Sequence, residues 1–241
     1  MQKRYSDIEI IAWTRRREGS RIHTSAALSE IEYILSLLSL DSDLINQGDA
    51  ENATPLHYAC AVGSLDTVIS LIQHGANINA TNFHDETPLL WALLESDIKK
   101  RHGKITYLIK AGADINKANV EGETIAHQAF RDPILLLHLL QHAANPNAKN
   151  IFDWTPLHYA MLFEDSIESA KHLIDHNANI NSPDDEGFTP LHLAAKYNNI
   201  DAIKLLISSG ADLTIQNKYG QTAYDLACSL ELDNKILDRL K

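Results

Sequence analysis

The chain repeats itself, and that periodicity constrains its fold more than any other feature. Thr54-Pro55-Leu56-His57, Thr87-Pro88-Leu89-Leu90, Thr124-Ile125-Ala126-His127, Thr155-Pro156-Leu157-His158, Thr189-Pro190-Leu191-His192 and Thr222-Ala223-Tyr224-Asp225 recur at intervals of 33, 37, 31, 34 and 33 residues. A second signal trails each of the first five: Gly75-Ala76-Asn77, Gly112-Ala113-Asp114, Ala143-Ala144-Asn145, Asn177-Ala178-Asn179 and Gly210-Ala211-Asp212. From that signal to the next Thr is always 12 residues, whereas from Thr to the signal the count varies as 21, 25, 19, 22 and 21. Periods of this size belong to stacked supersecondary units, none of which can bury its apolar face alone. Geometry is strict in the linking segment and lax in the part that precedes it.

The chemistry of one unit accounts for the pattern. Thr can cap the free N–H groups of a helix start, and Pro suits the first helical position because its missing N–H would be unpaired there. A short first helix follows, with small and apolar residues inward, as in Leu191, Ala194 and Ala195. A second helix carries periodic apolar residues, as in Ile203, Leu206 and Ile207, and ends at Gly or Asn, which accept a left-handed cap. Two positions before each Thr stand Asn52, Asp85, Gly122, Asp153, Gly187 and Gly220, all types that tolerate positive φ. The linker is therefore a tight, hairpin-like finger.

These motifs resemble the ankyrin-repeat family: the TPLH helix start, the GAD or GAN helix end, and Asp or Asn five residues before Thr (Asp49, Asn82, Asn119, Asn150, Asp184, Asn217). The likeness covers residues 49 to 241 well, and it is specific because five copies are correctly spaced. It implies an all-α ankyrin-repeat solenoid, with helix, turn, helix and finger in each repeat. About seven repeats are expected, with units at 49–81, 82–118, 119–149, 150–183 and 184–216 and a C-terminal cap at 217–241. Ser42-Asp43-Leu44-Ile45-Asn46 resembles a worn helix end, and Ser20-Arg21-Ile22-His23 a worn TPLH, so 20–48 reads as a degenerate first repeat. Ser29 with Glu32, and Ser6 with Glu9, have capping-box spacing; the second pair suggests a further N-terminal helix within 1–19. The polar end "LELDNKILDRLK" suits a terminal repeat.

Composition narrows the function. A formal charge of -11 argues against a nucleic-acid binder, which needs a basic surface. Residues 1 to 21 are mildly basic, with six Lys or Arg against three acids, leaving -14 for the remainder. No apolar run reaches the roughly 18 residues of a spanning helix and no leader with a cleavage site is readable, so a cytoplasmic protein is expected. Two cysteines, Cys60 and Cys228, are too few for a disulfide framework. Both lie six residues after their Thr, at the small position of Ala195, so both are expected to be buried.

Neither catalytic residues nor a cofactor or metal site is expected. No HExxH, P-loop or GxSxG pattern occurs. His138 with His142 and His172 with His176 form i,i+4 pairs, yet no carboxylate or Cys completes a ligand set. The motif histidines His57, His127, His158 and His192 are implied by the family resemblance to bond locally at the helix start. The extra residues of repeat two, "ESDIKKRHGK", bring Lys99, Lys100, Arg101 and His102 to the turn between helices, where an exposed loop is expected and a second contact point or an import signal is the alternative. Asn79 and Asn116, of a kind hydroxylated in the family, are first explained as turn residues.

In the family, fingertips and the exposed end of the first helix form the recognition edge. Those positions lie four, three and one before Thr and seven and eight after it. Repeat four fills all five with apolar residues: Ile151, Phe152, Trp154, Leu162 and Phe163. Phe188, Lys196, Tyr197 and Tyr219 flank them, and Phe83 and His84 occupy the matching fingertip of repeat two. These eleven residues are the expected protein-binding site; the alternative is that the side chains fold inward and tighten the finger rows. The expected partner is a protein, with basic residues around an apolar anchor, bound by a monomer. Two uses fit such a module: an adaptor or bacterial effector, or an inhibitory subunit of an enzyme in trans.

Overall fold

The computed structural model describes residues 21–230. The expected helix within 1–19 and the end of the C-terminal cap lie outside these described residues. Contacts divide the chain into two compact units, Met1–Val120 and Glu121–Lys241. The first holds α1 (Arg21–Leu28), α2 (Ile31–Leu40), α3 (Pro55–Ala61), α4 (Leu65–Gln73), α5 (Pro88–Trp91) and α6 (Ile98–Lys110). The second holds α7 (Ile125–Gln128), α8 (Pro133–Gln141), α9 (Pro156–Ala160), α10 (Ile167–Asp175), α11 (Pro190–Lys196), α12 (Ile200–Ser208) and α13 (Ala223–Ser229). Short 3-10 turns occupy Ser42–Asn46, Ala92–Leu94 and Glu164–Ser166, and no strand occurs among the described residues.

Before α13, each repeat among the described residues is a pair of packed helices with buried apolar residues on both: Leu56, Ala59 and Cys60 with Val68 and Leu71, and Leu191, Ala194 and Ala195 with Ile203 and Leu206. Every side chain removed from water this way stabilises by about 1.5–3 kcal/mol for a Leu or Ile, before ordering costs.

The finger owes its fixed length to three devices. All six residues two before Thr adopt positive φ, from 55° to 82°: Asn52 62°, Asp85 55°, Gly122 76°, Asp153 58°, Gly187 82° and Gly220 71°. The Asp or Asn five before Thr is the bracket. Asn150 Oδ1 accepts the N–H groups of Phe152 and Trp154, both at 2.9 Å, and Asp49, Asn82, Asp184 and Asn217 do the same in their fingers. Adjacent fingertips are then stitched by one backbone bond each: Phe83 N–H to Glu51 O and Val120 N–H to His84 O in the first unit. Ile151 N–H to Glu121 O, Asp185 N–H to Phe152 O and Lys218 N–H to Glu186 O continue it in the second.

The motif histidine joins one repeat to the next. His57 Nδ1 accepts the Thr54 N–H at 3.0 Å, so the proton sits on Nε2, which donates to Glu86 O at 3.0 Å. His127, His158 and His192 accept from their own Thr and donate to Trp154 O, Phe188 O and Gln221 O, each the carbonyl one before the next Thr. His23 makes the same link, to Ala53 O at 3.0 Å.

Several sequence expectations are corrected. Ser29 does not cap α2: it takes positive φ (63°), and its hydroxyl accepts the Ser64 N–H at 2.7 Å. The insertion of repeat two is not a loop. It lengthens α6 to 13 residues, against nine in each of α4, α8, α10 and α12, which is close to one extra turn. That winding buries Arg101 and Lys104, so only Lys99 and Lys100 of the basic cluster stay fully exposed. Cys60 is buried but Cys228 is exposed, contrary to its expected packing position.

The left-handed position closing the second helix is Gly at 75, 112 and 210 but Ala at 143, with φ 67°. An L-residue with a Cβ pays there for a conformation Gly adopts freely. Ala143→Gly should therefore raise unfolding stability by about 1 kcal/mol, after the added freedom of the unfolded chain is subtracted. Urea denaturation checks this, and a lower midpoint would contradict it.

Candidate protein-binding surface

The second unit concentrates exposed aromatic and aliphatic side chains around the finger of repeat four. With the backbone bracketed by Asn150, Ile151 and Phe152 project from its tip, 60% and 54% exposed. Trp154 does not join them at the surface. It is half-buried, its Nε1–H donates to Asp184 Oδ2 at 3.0 Å, and its ring meets Tyr159 edge-on at 5.4 Å.

Tyr159 is the hub beneath. Its hydroxyl donates to a Glu123 carboxylate oxygen and accepts from Asn150 Nδ2 at 3.1 Å. Burial, and then the Glu123 carboxylate, push the phenol's pKa upward, so it remains a donor. Phe130 lies 5.9 Å from Tyr159 and stacks on Phe163 at 5.7 Å, nearly parallel at 16°. The Arg131 guanidinium lies over the Phe163 ring at 4.5 Å, itself paired with Asp165 at 3.1 Å. Phe163 stays 40% exposed, and Leu162 is half-buried.

Phe188 is not a surface residue. It is 7% exposed, lying edge-on to His192 at 5.8 Å and beneath Tyr219 at 6.3 Å, with Lys196 Nζ 5.2 Å from its ring. The position one before Thr points inward whenever its side chain can pack on the next finger, and that removes Phe188 and much of Trp154 from the expected contact set. Tyr197 and Tyr219 are exposed, 49% and 65%, and Tyr219 donates to Glu186 Oε1 at 3.0 Å. Phe83 and His84 belong to the first unit; Phe83 is 68% exposed and His84 lies 3.8 Å from Glu51.

The sequence reading missed Tyr159 and Phe130. A signal existed: four residues after Thr stand Tyr58, Trp91, Gln128 and Tyr159, bulky residues with a polar tip, where later repeats have Leu193 and Leu226. In the first unit this column is sealed, with Tyr58 and Trp91 at 0% and 3% exposure and Trp91 Nε1–H bound to Glu86.

The paired histidines act at helix ends: His142 Nδ1 contacts His138 O at 2.9 Å and His176 Nδ1 contacts His172 O at 2.8 Å. Such contacts satisfy carbonyls left free in the last turn. Among the described residues no three His, Cys, Asp or Glu side chains gather to hold a metal ion, and no helix is long and apolar enough to cross a membrane.

A profile of ankyrin repeats in three copies matches residues 22–119, 98–184, 124–217 and 163–238. The chain belongs to the ankyrin-repeat family. Ankyrin repeats are in general protein–protein interaction modules. The chain is 29% identical over 229 residues to a transient receptor potential cation channel subfamily A member 1 homolog of Caenorhabditis elegans, covering 93% of this chain and 18% of that protein. It is 35% identical over 218 residues to a protein of Acanthamoeba polyphaga mimivirus named as ankyrin repeat protein L86, covering 79% of this chain and 38% of that protein. It therefore spans well under half the length of these relatives. The ankyrin repeat domain of Bcl-3 superposes with a TM-score of 0.79 at 22% identity, covering 92% of this chain and 97% of that one, a likeness of fold.

Proposed function

We propose that this ankyrin-repeat chain captures a protein partner on the finger and inner-helix edge of its second unit, with Ile151 and Phe152 as anchors and Tyr197 and Tyr219 beside them. The activity is recruitment or blockade and not catalysis. The observation that carries this reading is that Ile151 and Phe152 remain more than half exposed while the aromatic residues behind them are locked by Asp184, Glu123 and Arg131. Exposed contiguous apolar surface on a rigid foundation marks interaction sites, and a preorganised surface binds at lower entropic cost.

Two variants separate the binding surface from its support. Ile151→Asp/Phe152→Asp should leave the unfolding midpoint near that of the wild type and weaken partner binding at least about 30-fold, roughly 2 kcal/mol. Trp154→Ala should cost about 3 kcal/mol of stability, because it removes a large half-buried ring and leaves Asp184, 8% exposed, without the indole donor. Paired urea titrations and affinity measurements on a partner identified by crosslinking decide it. Unchanged affinity in the double Asp variant, with the fold intact, refutes the reading.

A further inference from the structure

The fingertips of the second unit alternate in chemistry. Repeat three presents Glu121, with Glu123 behind it; repeat four presents Ile151 and Phe152; repeat five presents Asp185 and Glu186. The backbone bonds Ile151 N–H to Glu121 O and Asp185 N–H to Phe152 O place these tips side by side in that order. The row reads acid, apolar, acid.

Three cations of the second unit have contacts of their own. Arg131 is held by Asp165 and Phe163, Lys149 lies 3.4 Å from Asp153, and Lys196 covers Phe188. Residues 121–230 carry six Lys or Arg against fourteen Asp or Glu, a formal -8, so the field over the row is negative. Lys218 on the next fingertip marks where the acidic stretch ends.

Spacing adds a length to this chemistry. Neighbouring repeats stand about 10 Å apart at helix-packing distance, so the two acidic tips are separated by roughly 20 Å with the apolar tip midway. An extended chain advances about 3.3 Å per residue and covers that span in about six residues. Resting on the surface reading above, we infer that the second unit binds an extended peptide segment in which a large apolar residue is flanked, about three residues away on each side, by Lys or Arg. The apolar residue seats on Ile151 and Phe152, and the cations meet Glu121 on one side and Asp185 with Glu186 on the other. Because rim charges act mainly through on-rate and discrimination, added salt should weaken the complex.

Selection of a random 16-residue peptide library displayed on phage tests it, using the full chain as bait in parallel with Asp185→Lys/Glu186→Lys and with Ile151→Asp/Phe152→Asp. All substituted side chains are exposed, and circular dichroism confirms that each bait is folded. Enriched peptides should carry the basic-apolar-basic pattern, lose at least tenfold in affinity for the charge-reversed bait, and fail on the apolar-to-Asp bait. Peptides enriched on wild type and lost on the apolar-to-Asp bait, yet without basic bias, overturn the charge pattern and leave the binding surface standing. Peptides enriched equally on all three baits overturn both. Enriched peptides whose basic residues fall at helical spacing overturn the extended form, and an empty selection overturns the peptide assignment.

Discussion

Lowering the pH from 7 to about 4 should remove about 3 kcal/mol of stability from each unit through one histidine alone, His57 in the first and His158 in the second. Burial pushes both imidazoles down from their usual value near 6.5 to about 4, outweighing the carbonyl bonds to Glu86 and Phe188 that favour the protonated form. The sign follows from proton uptake. Above 6.5 neither folded nor unfolded imidazole is charged, so full stability is present; between 6.5 and about 4 only the unfolded chain protonates, which favours unfolding. Each pH unit costs about 1.4 kcal/mol per histidine, and the loss levels off near pH 4. His127 and His192, lowered for the same reason, add to it in the second unit. The carboxyl groups held low, such as Asp225 bonded to the Thr222 N–H, act only at more acid pH. Urea midpoints at intervals from pH 7 to 4 check this. His57→Leu, which copies Leu90 of repeat two, should flatten the slope for the first unit. Midpoints that stay level across this window would contradict the assignment.

Lys104→Met should be the most damaging single substitution in the first unit, at about 3–5 kcal/mol. Lys104 is fully buried; its Nζ donates to Glu95 Oε2 at 2.9 Å and to Cys60 O at 3.0 Å. Removing the ammonium strands Glu95, 5% exposed, as a buried carboxylate whose Oε1 keeps only the Asp97 N–H at 3.0 Å. At the equivalent site of other repeats stand Thr67, Leu135, Ser169 and Ala202, so the cavity itself has no need of a charge. Adding Glu95→Gln should accordingly restore most of the loss, and the double-mutant cycle should show strong coupling. A single Lys104→Met variant within about 1 kcal/mol of the wild type would show that water reaches the pair. Cys60 beside it is no reactive thiol: burial raises its pKa to about 12, against the opposing pull of Lys104.

The repeat architecture was legible because period, capping residues and positive-φ residues all point to one local structure. Asn52, Asp85 and Gly122 could be assigned to the finger turn from type alone, since few residues accept that backbone. The role of Asn150 and its equivalents, bracketing two N–H groups, needed the fold. Exposure of Ile151 and Phe152 follows from their register at the fingertip. The inward turn of Trp154 and Phe188 does not, because it depends on what the following repeat offers: a carboxylate at Asp184, a lid at Tyr219. The same dependence hid Tyr159, whose partner Glu123 lies 36 residues away. The insertion misled because four extra residues look the same in sequence whether they form a loop or a turn of helix.

The imidazole links all run one way along the chain, each ring donating to the carbonyl that precedes the following repeat's Thr. Within either unit, parting two neighbouring modules breaks one such bond and turns both its imidazole N–H and its backbone oxygen out to water. Each ring and the finger it holds thus share one latch, and hydrogen exchange should find the two opening together.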